Sequence, residues 1–144
     1  WNALNGLTLV PKRQNQKTGY SFIDKWYQWE RNFRLVLAGA RAEKMKKPFE
    51  GKTGEFREEL LRTVRQAVEM GDPLEAARYL TRVRLDFLEA LRPADPFSET
   101  MLFYYALKLK LILRIQQFDK SKGQNAYRKI YGSIMYGGDQ EVKE

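Results

Sequence analysis

From Ser21 onward the apolar residues Phe22, Trp26, Trp29, Phe33, Val36 and Ala40 recur at alternating steps of four and three, the spacing of one face of an α-helix. Ser21 is the expected N-cap, and this helix is predicted to end near Lys46, before Pro48, Gly51 and Gly54. A shorter helix is predicted over about Glu55–Met70, with Phe56, Leu60, Val64, Ala67 and Val68 on one face and Gly71 at its end. Asp72, Pro73 and Glu75 then supply a capping acid, a proline at the first helical position and an acid in the first turn. A third helix therefore starts there and runs to about Arg92, where Pro93 stops it. Asp95 and Pro96 repeat the start signal for a fourth helix reaching about Phe118. Gly123 opens a fifth, with Tyr127, Ile130, Tyr131 and Ile134 as its apolar face, and Gly137 with Gly138 closes it. Leu and Lys alternate over Lys108–Ile112 in strand-like fashion, but the flanking apolar residues extend that segment to helix length and no turn brackets it. The expected fold is all-α, a bundle of about five helices in which the first, third and fourth form the main packing unit. Residues 1–20, interrupted by Gly6, Pro11 and Gly19, read as an irregular lead-in with a connecting role, 21–136 as a single helical domain and 137–144 as a flexible acidic tail.

Placing these residues on helical wheels exposes charges on apolar stripes. Nearly the whole circumference of the fourth helix is apolar, and only the sector of Glu99, Lys110, Arg114 and Gln117 is polar, as expected of a helix central to a bundle. Lys108 falls about 20° from Phe97 at ~100° per residue, among Met101, Tyr104 and Ile112. Arg84 falls likewise among Ala77, Leu80, Phe87, Leu88 and Leu91 on the third helix. On the first helix Glu30, Arg34 and Arg41 form a strip along the margin of the apolar face, and Glu30 with Arg34 has the spacing of an intrahelical ion pair. A buried charge without a partner costs several kcal/mol. Each intruder must therefore pair, reach water along its aliphatic stem, or face another chain. Two readings follow: Glu30 is the shared carboxylate of Arg84 or Lys108, or both cations snorkel.

Composition narrows the chemistry. At 144 residues, 43% apolar and 31% charged, the chain is the size and character of one folded domain. Histidine and cysteine are both absent, which removes the imidazole base, the thiolate nucleophile, thiolate metal sites and disulfides. The acids show no metal-ligand spacing, no glycine-rich phosphate loop opens a helix, and Ser21, Ser98, Ser121 and Ser133 have no histidine to activate them. A non-enzyme without cofactor or metal is expected. Most of the aromatic residues sit on core stripes. Trp1, Phe49, Tyr79, Phe103 and Tyr136 lie off them and are the expected exposed contacts, too scattered to make a base-stacking surface.

The net charge of +8 is concentrated at the front, because residues 1–54 carry eleven bases and four acids. Lys44, Lys46, Lys47 and Lys52 form the tightest cluster. Such a cluster is read either as a solvated helix end and loop or as a patch for an acidic partner, nucleic acid or an anionic membrane face. The candidate interface residues are these four lysines with Phe103, Lys110 and Arg114 on the fourth helix. No apolar run approaches the roughly 18 residues of a membrane span. The sequence starts at Trp1 without an initiator methionine, and a fragment or processed product is expected.

Two segments taken together resemble a known family. Residues 22–41 carry Phe22, Trp26, Glu30, Asn32, Arg34 and Arg41 in the pattern Phe-x3-Trp-x3-Glu-x-Asn-x-Arg-x6-Arg. Residues 72–119 carry Asp-Pro-Leu-Glu, then Arg84 and Asp86, the tract FYYALKLKLILR, and Phe118 with Asp119. This resembles a bacterial family of uncharacterised proteins encoded beside V-type (A-type) ATPase genes. That family is itself similar to the C-type subunit of prokaryotic V-type ATPases, whose eukaryotic counterpart is the d-type subunit. The likeness spans most of residues 20–136, as a C-terminal fragment would. It implies a helical lobe like those of the C-type and d-type subunits, a non-catalytic part of a proton- or sodium-translocating rotary machine. The implied partners are the central-shaft and membrane-ring subunits, and the implied location is cytoplasmic, peripheral at the inner membrane through the complex, with no small-molecule substrate. Carried over by position, Glu30, Asn32, Arg34, Arg41, Tyr105 and Lys108 look like the family's helix-packing signature, and with Arg84 they make the expected structural polar network. The alternative is a basic helical nucleic-acid-binding module centred on the Lys44–Lys52 cluster.

Overall fold

The computed structural model of the chain describes residues 4, 6–9, 17–51, 58–117 and 120–136, with backbone only at 120–122 and 133–136. The described residues form five helices and no strand. These are α1 (Ser21–Lys44), α2 (Glu58–Glu69), α3 (Pro73–Ala90), α4 (Glu99–Gln117) and α5 (Lys120–Tyr136). Each of the first four packs on its neighbour in the chain, and α4 closes back on α1. The fold is an all-helical bundle. The expected tail at 137–144, Trp1, Phe56 and Lys52, and the side chains of Ile134 and Tyr136, lie outside the described residues.

Helix starts follow local hydrogen bonding, and three differ from expectation. The cap position of α1 is Tyr20, which makes no side-chain cap bond, and Ser21 is already helical. Instead the Asp24 carboxylate accepts from the Thr18 amide at 2.8 Å and the Thr18 hydroxyl at 2.9 Å. Gly19 turns the chain between them at φ +87°, a conformation that favours glycine. α3 starts as predicted, with the Asp72 side chain accepting from the Leu74 amide at 2.8 Å ahead of Pro73. α4 starts later than predicted. Asp95 accepts from the Phe97 amide within a turn, whereas Ser98 accepts from the Met101 amide at 3.2 Å and takes the capping role. Phe97 is left 95% exposed by that shift. α5 begins at Lys120, so Gly123 lies inside it.

The core divides into two clusters along α1. Phe22, Ile23, Trp26 and Tyr27 pack with Leu88 of α3 and Met101, Phe103, Tyr104, Leu107 and Leu111 of α4. Phe33, Val36 and Leu37 pack with Val64 and Ala67 of α2 and Leu80 of α3. α2 is thus a full member of the core, beyond the minor place its pattern suggested. Trp29 touches both clusters, stacked on Phe33 at 4.9 Å and on Phe87 at 4.2 Å between ring centroids. Burying a large apolar side chain stabilises by about 1.5–3 kcal/mol, so this aromatic column ties α1 to α3. The lead-in does more than connect: Leu7 is 3% exposed in the first cluster, and the Trp26 indole N–H donates to the Leu9 carbonyl at 3.3 Å.

α4 is buried on one face only. Opposite Tyr104, Leu107 and Leu111 it exposes Leu102, Tyr105, Leu109, Ile112 and Leu113. On α5, Tyr127, Ile130 and Tyr131 of the predicted apolar face are likewise more than half exposed.

Candidate functional site

The polar centre of the molecule is Glu30, 1% exposed on α1. Arg84 of α3 donates to it from Nε at 2.9 Å to Oε2 and from Nη2 at 3.0 Å to Oε1. Arg34, one turn along α1, donates from Nε to Oε1 at 2.7 Å. The Arg84 guanidinium also donates from Nη1 to the Leu80 carbonyl at 3.3 Å and sits 4.5 Å above the Phe33 ring centre. A two-point guanidinium–carboxylate pair of this kind is the strong form of ion pair. It explains how Arg84 stands among apolar residues without an unpaired charge. Arg34 is held differently, since its side chain remains 43% exposed.

Lys108 does not join this network. It donates to Glu89 near the end of α3 and to the Tyr104 hydroxyl at 3.0 Å, and Tyr104 donates to Glu89 at 2.6 Å. The physical reason is helix phase: Lys108 lies on the side of α4 that meets the last turn of α3, and its side chain remains 35% exposed. The hydrogen bond from Lys108, then that from Tyr104, holds the Glu89 carboxyl below the usual carboxylate range. The bond to Glu89, then that to Tyr104, raises Lys108 above the usual lysine value. Sequence reasoning missed Glu89. No simple spacing announced it, because Glu89 lies four residues before the connection at 93–98 and Tyr104 six residues after it.

The remaining network candidates fall outside it. Asn32 is partly buried and Arg41 exposed, and neither side chain joins Glu30. Tyr105 is 53% exposed, in edge contact with Tyr104. Among the candidate interface residues, Phe103 is 1% exposed and packs edge-on against Tyr20 at 4.9 Å, so it belongs to the core and not to an interface. With α4 apolar almost all round, its pattern left open which side turns inward. Lys110 donates to the Leu7 carbonyl, tying the lead-in to α4. Tyr79 is partly buried and donates to Gln66 at 3.0 Å, while Phe49 is exposed.

The described lysines of the cluster, Lys44, Lys46 and Lys47, close α1. Lys44 donates to the Val68 carbonyl of α2. The Lys46 amide donates to Glu43 and the Lys47 amide to Ala42, at 3.0 and 2.9 Å, with Lys46 at φ +52°. This is the double-bonded C-terminal cap in which the residue past the helix end is left-handed.

A cleft of about 450 Å³ opens between α1 and α3 beside the Glu30 network. Arg34, Arg41, Arg84 and, from α4, Arg114 line it. Among the described residues no three His, Cys, Asp or Glu side chains gather as metal ligands, and no helix is long and apolar enough to cross a membrane. Comparisons with protein-family models, with curated proteins and with solved structures returned no match.

Proposed function

We propose that the protein is a non-catalytic subunit or accessory protein of a V-type (A-type) ATPase, linking the central shaft to the membrane rotor ring through protein–protein contacts. The observation that carries this reading is the exposed apolar stripe of α4. Leu102, Tyr105, Leu109, Ile112 and Leu113 recur at helical spacing and run about 16 Å along the axis at 1.5 Å per residue. A contiguous exposed patch of that kind marks an interaction surface, and an apolar helix face is suited to lie against another helix. Rigid docking of this type needs no reactive group. The resemblance of residues 20–136 to the ATPase-associated family supplies the identity of the partners.

The test is a pull-down of the full-length protein from its native membranes in gentle detergent at moderate salt. Shaft and ring subunits of a V-type ATPase should be recovered with the wild type and lost with Leu102→Glu/Leu109→Glu. Recovery of nucleic acid or soluble partners with no ATPase chain contradicts the reading, and nucleic acid in particular would favour the basic cluster as the working surface.

A further inference from the structure

Among the described residues, the cleft between α1 and α3 is lined by four arginines and no acid. Arg34 and Arg41 reach it from α1, Arg84 from α3 and Arg114 from the last turns of α4, over small residues that include Ala38 and Ala77. Its volume of about 450 Å³ lies in the range of small-molecule sites. Glu30 stands behind the arginines, buried, and its single charge is shared between Arg34 and Arg84. The carboxylate of Asp72, next to the cleft's Pro73, is turned onto the Leu74 amide. Among the described residues three positive charges therefore remain uncompensated at the cleft once Glu30 is counted.

Those charges are also chemically available. Among the described residues Arg34 is engaged only through Nε, and the guanidiniums of Arg41 and Arg114 hold no hydrogen bond or ion pair. Arg34 and Arg41 stand two turns apart on α1, about 10 Å along its axis. The first turn of α3 borders the same cleft through Pro73 and Ala76, adding the positive end of a helix dipole. Like charges gathered in one concave space repel, and an anion placed among them relieves that repulsion while satisfying planar guanidinium forks.

We infer that this cleft binds a small anion bearing two or more linked phosphate groups. Arg41, Arg114 and the free end of Arg34 grip the phosphate oxygens, and Arg84, fixed by Glu30, supplies a rigid positive wall. Linked phosphates match a charge of three spread over two helical turns better than a single carboxylate does. Among the described residues no aromatic ring lines the cleft, so the phosphate chain is recognised and a nucleotide base adds little. This inference does not rest on the docking role of α4.

The test is calorimetric titration of the full chain at about 0.15 M salt, where charges beyond roughly 8 Å are screened. The probes are sodium tripolyphosphate, ATP and a glutamate-rich peptide of similar charge. Tripolyphosphate should bind saturably at one site, with ATP within about threefold of it. Arg41→Gln/Arg114→Gln should weaken binding by about tenfold or more, whereas Lys46→Gln/Lys47→Gln, with the same loss of charge, should leave it within about twofold. Both pairs are exposed, and helical circular dichroism should be unchanged in each. Equal weakening by the two variants would mean diffuse attraction and overturn the inference. So would absent phosphate binding, or an arginine-dependent response to the peptide alone, which would make the cleft a protein groove.

Discussion

Glu30 of α1 and Arg84 of α3, 54 positions apart in the chain, meet through two-point hydrogen bonding in a space that leaves the carboxylate 1% exposed. The pair adds a directional polar contact between two helices that otherwise meet through apolar and aromatic side chains. Removing one member of a buried pair leaves the other charged and unsatisfied, at about 3–5 kcal/mol. Glu30→Gln should therefore lower the stability measured by urea unfolding by about 3 kcal/mol. Arg34→Gln removes only the partly exposed partner and should cost about 0.5 kcal/mol. Equal losses in the two variants would show that the Arg84 contact is not the dominant one.

Lys46 occupies the left-handed position that ends α1, at φ +52°. A side chain there carries a steric penalty of about 1 kcal/mol that glycine avoids. Lys46→Gly should raise the unfolding free energy by about 0.5–1 kcal/mol. A loss of stability would mean that the lysine side chain contributes more at this helix end than its backbone conformation costs.

Leu107 and Leu109 test the orientation of α4. Leu107 is fully buried and Leu109 is 56% exposed. Leu107→Ala should cost about 2–5 kcal/mol, and Leu109→Ala less than about 0.5 kcal/mol. Comparable losses at both positions would mean that the stripe is covered within the chain.

The Glu89–Lys108 pair gives a pH signature. The depressed carboxyl of Glu89 contributes stability above its unfolded value and loses it as pH falls through the lower folded value. The raised Lys108 contributes below its unfolded value and loses it as pH rises through the higher folded value. The pair is thus at full strength from about pH 5 to about pH 10. The difference in melting temperature between wild type and Glu89→Gln should be widest there and shrink on both flanks. A difference independent of pH would assign Glu89 a packing role instead.

Local signals were legible in the sequence and neighbour choice was less so. Asp72 with Pro73 marked the start of α3 because the cap uses atoms within two residues. Arg84 stood out because a wheel reports any charge on an apolar stripe, and only one buried acid on α1 was in position to answer it. The wheel could not say which helix crosses at Lys108, so Glu89 was missed. It could not choose a buried face for α4, whose circumference is apolar, so Phe103 was placed outside and the stripe of Leu102 and Leu109 went unremarked. Two capping signals in 95–98 competed, and the later one, Ser98, took the role. The arginine cleft joins residues of α1, α3 and α4, and no pattern within one helix announces it.

The most direct measurement is site-specific photo-crosslinking from position 109 in the native host, with the adducts identified by mass spectrometry. The docking account requires adducts to a shaft or ring component of the V-type ATPase from position 109, and none from position 78 on the exposed side of α3. Adducts from position 109 only within this chain, or none to any ATPase component, would contradict it.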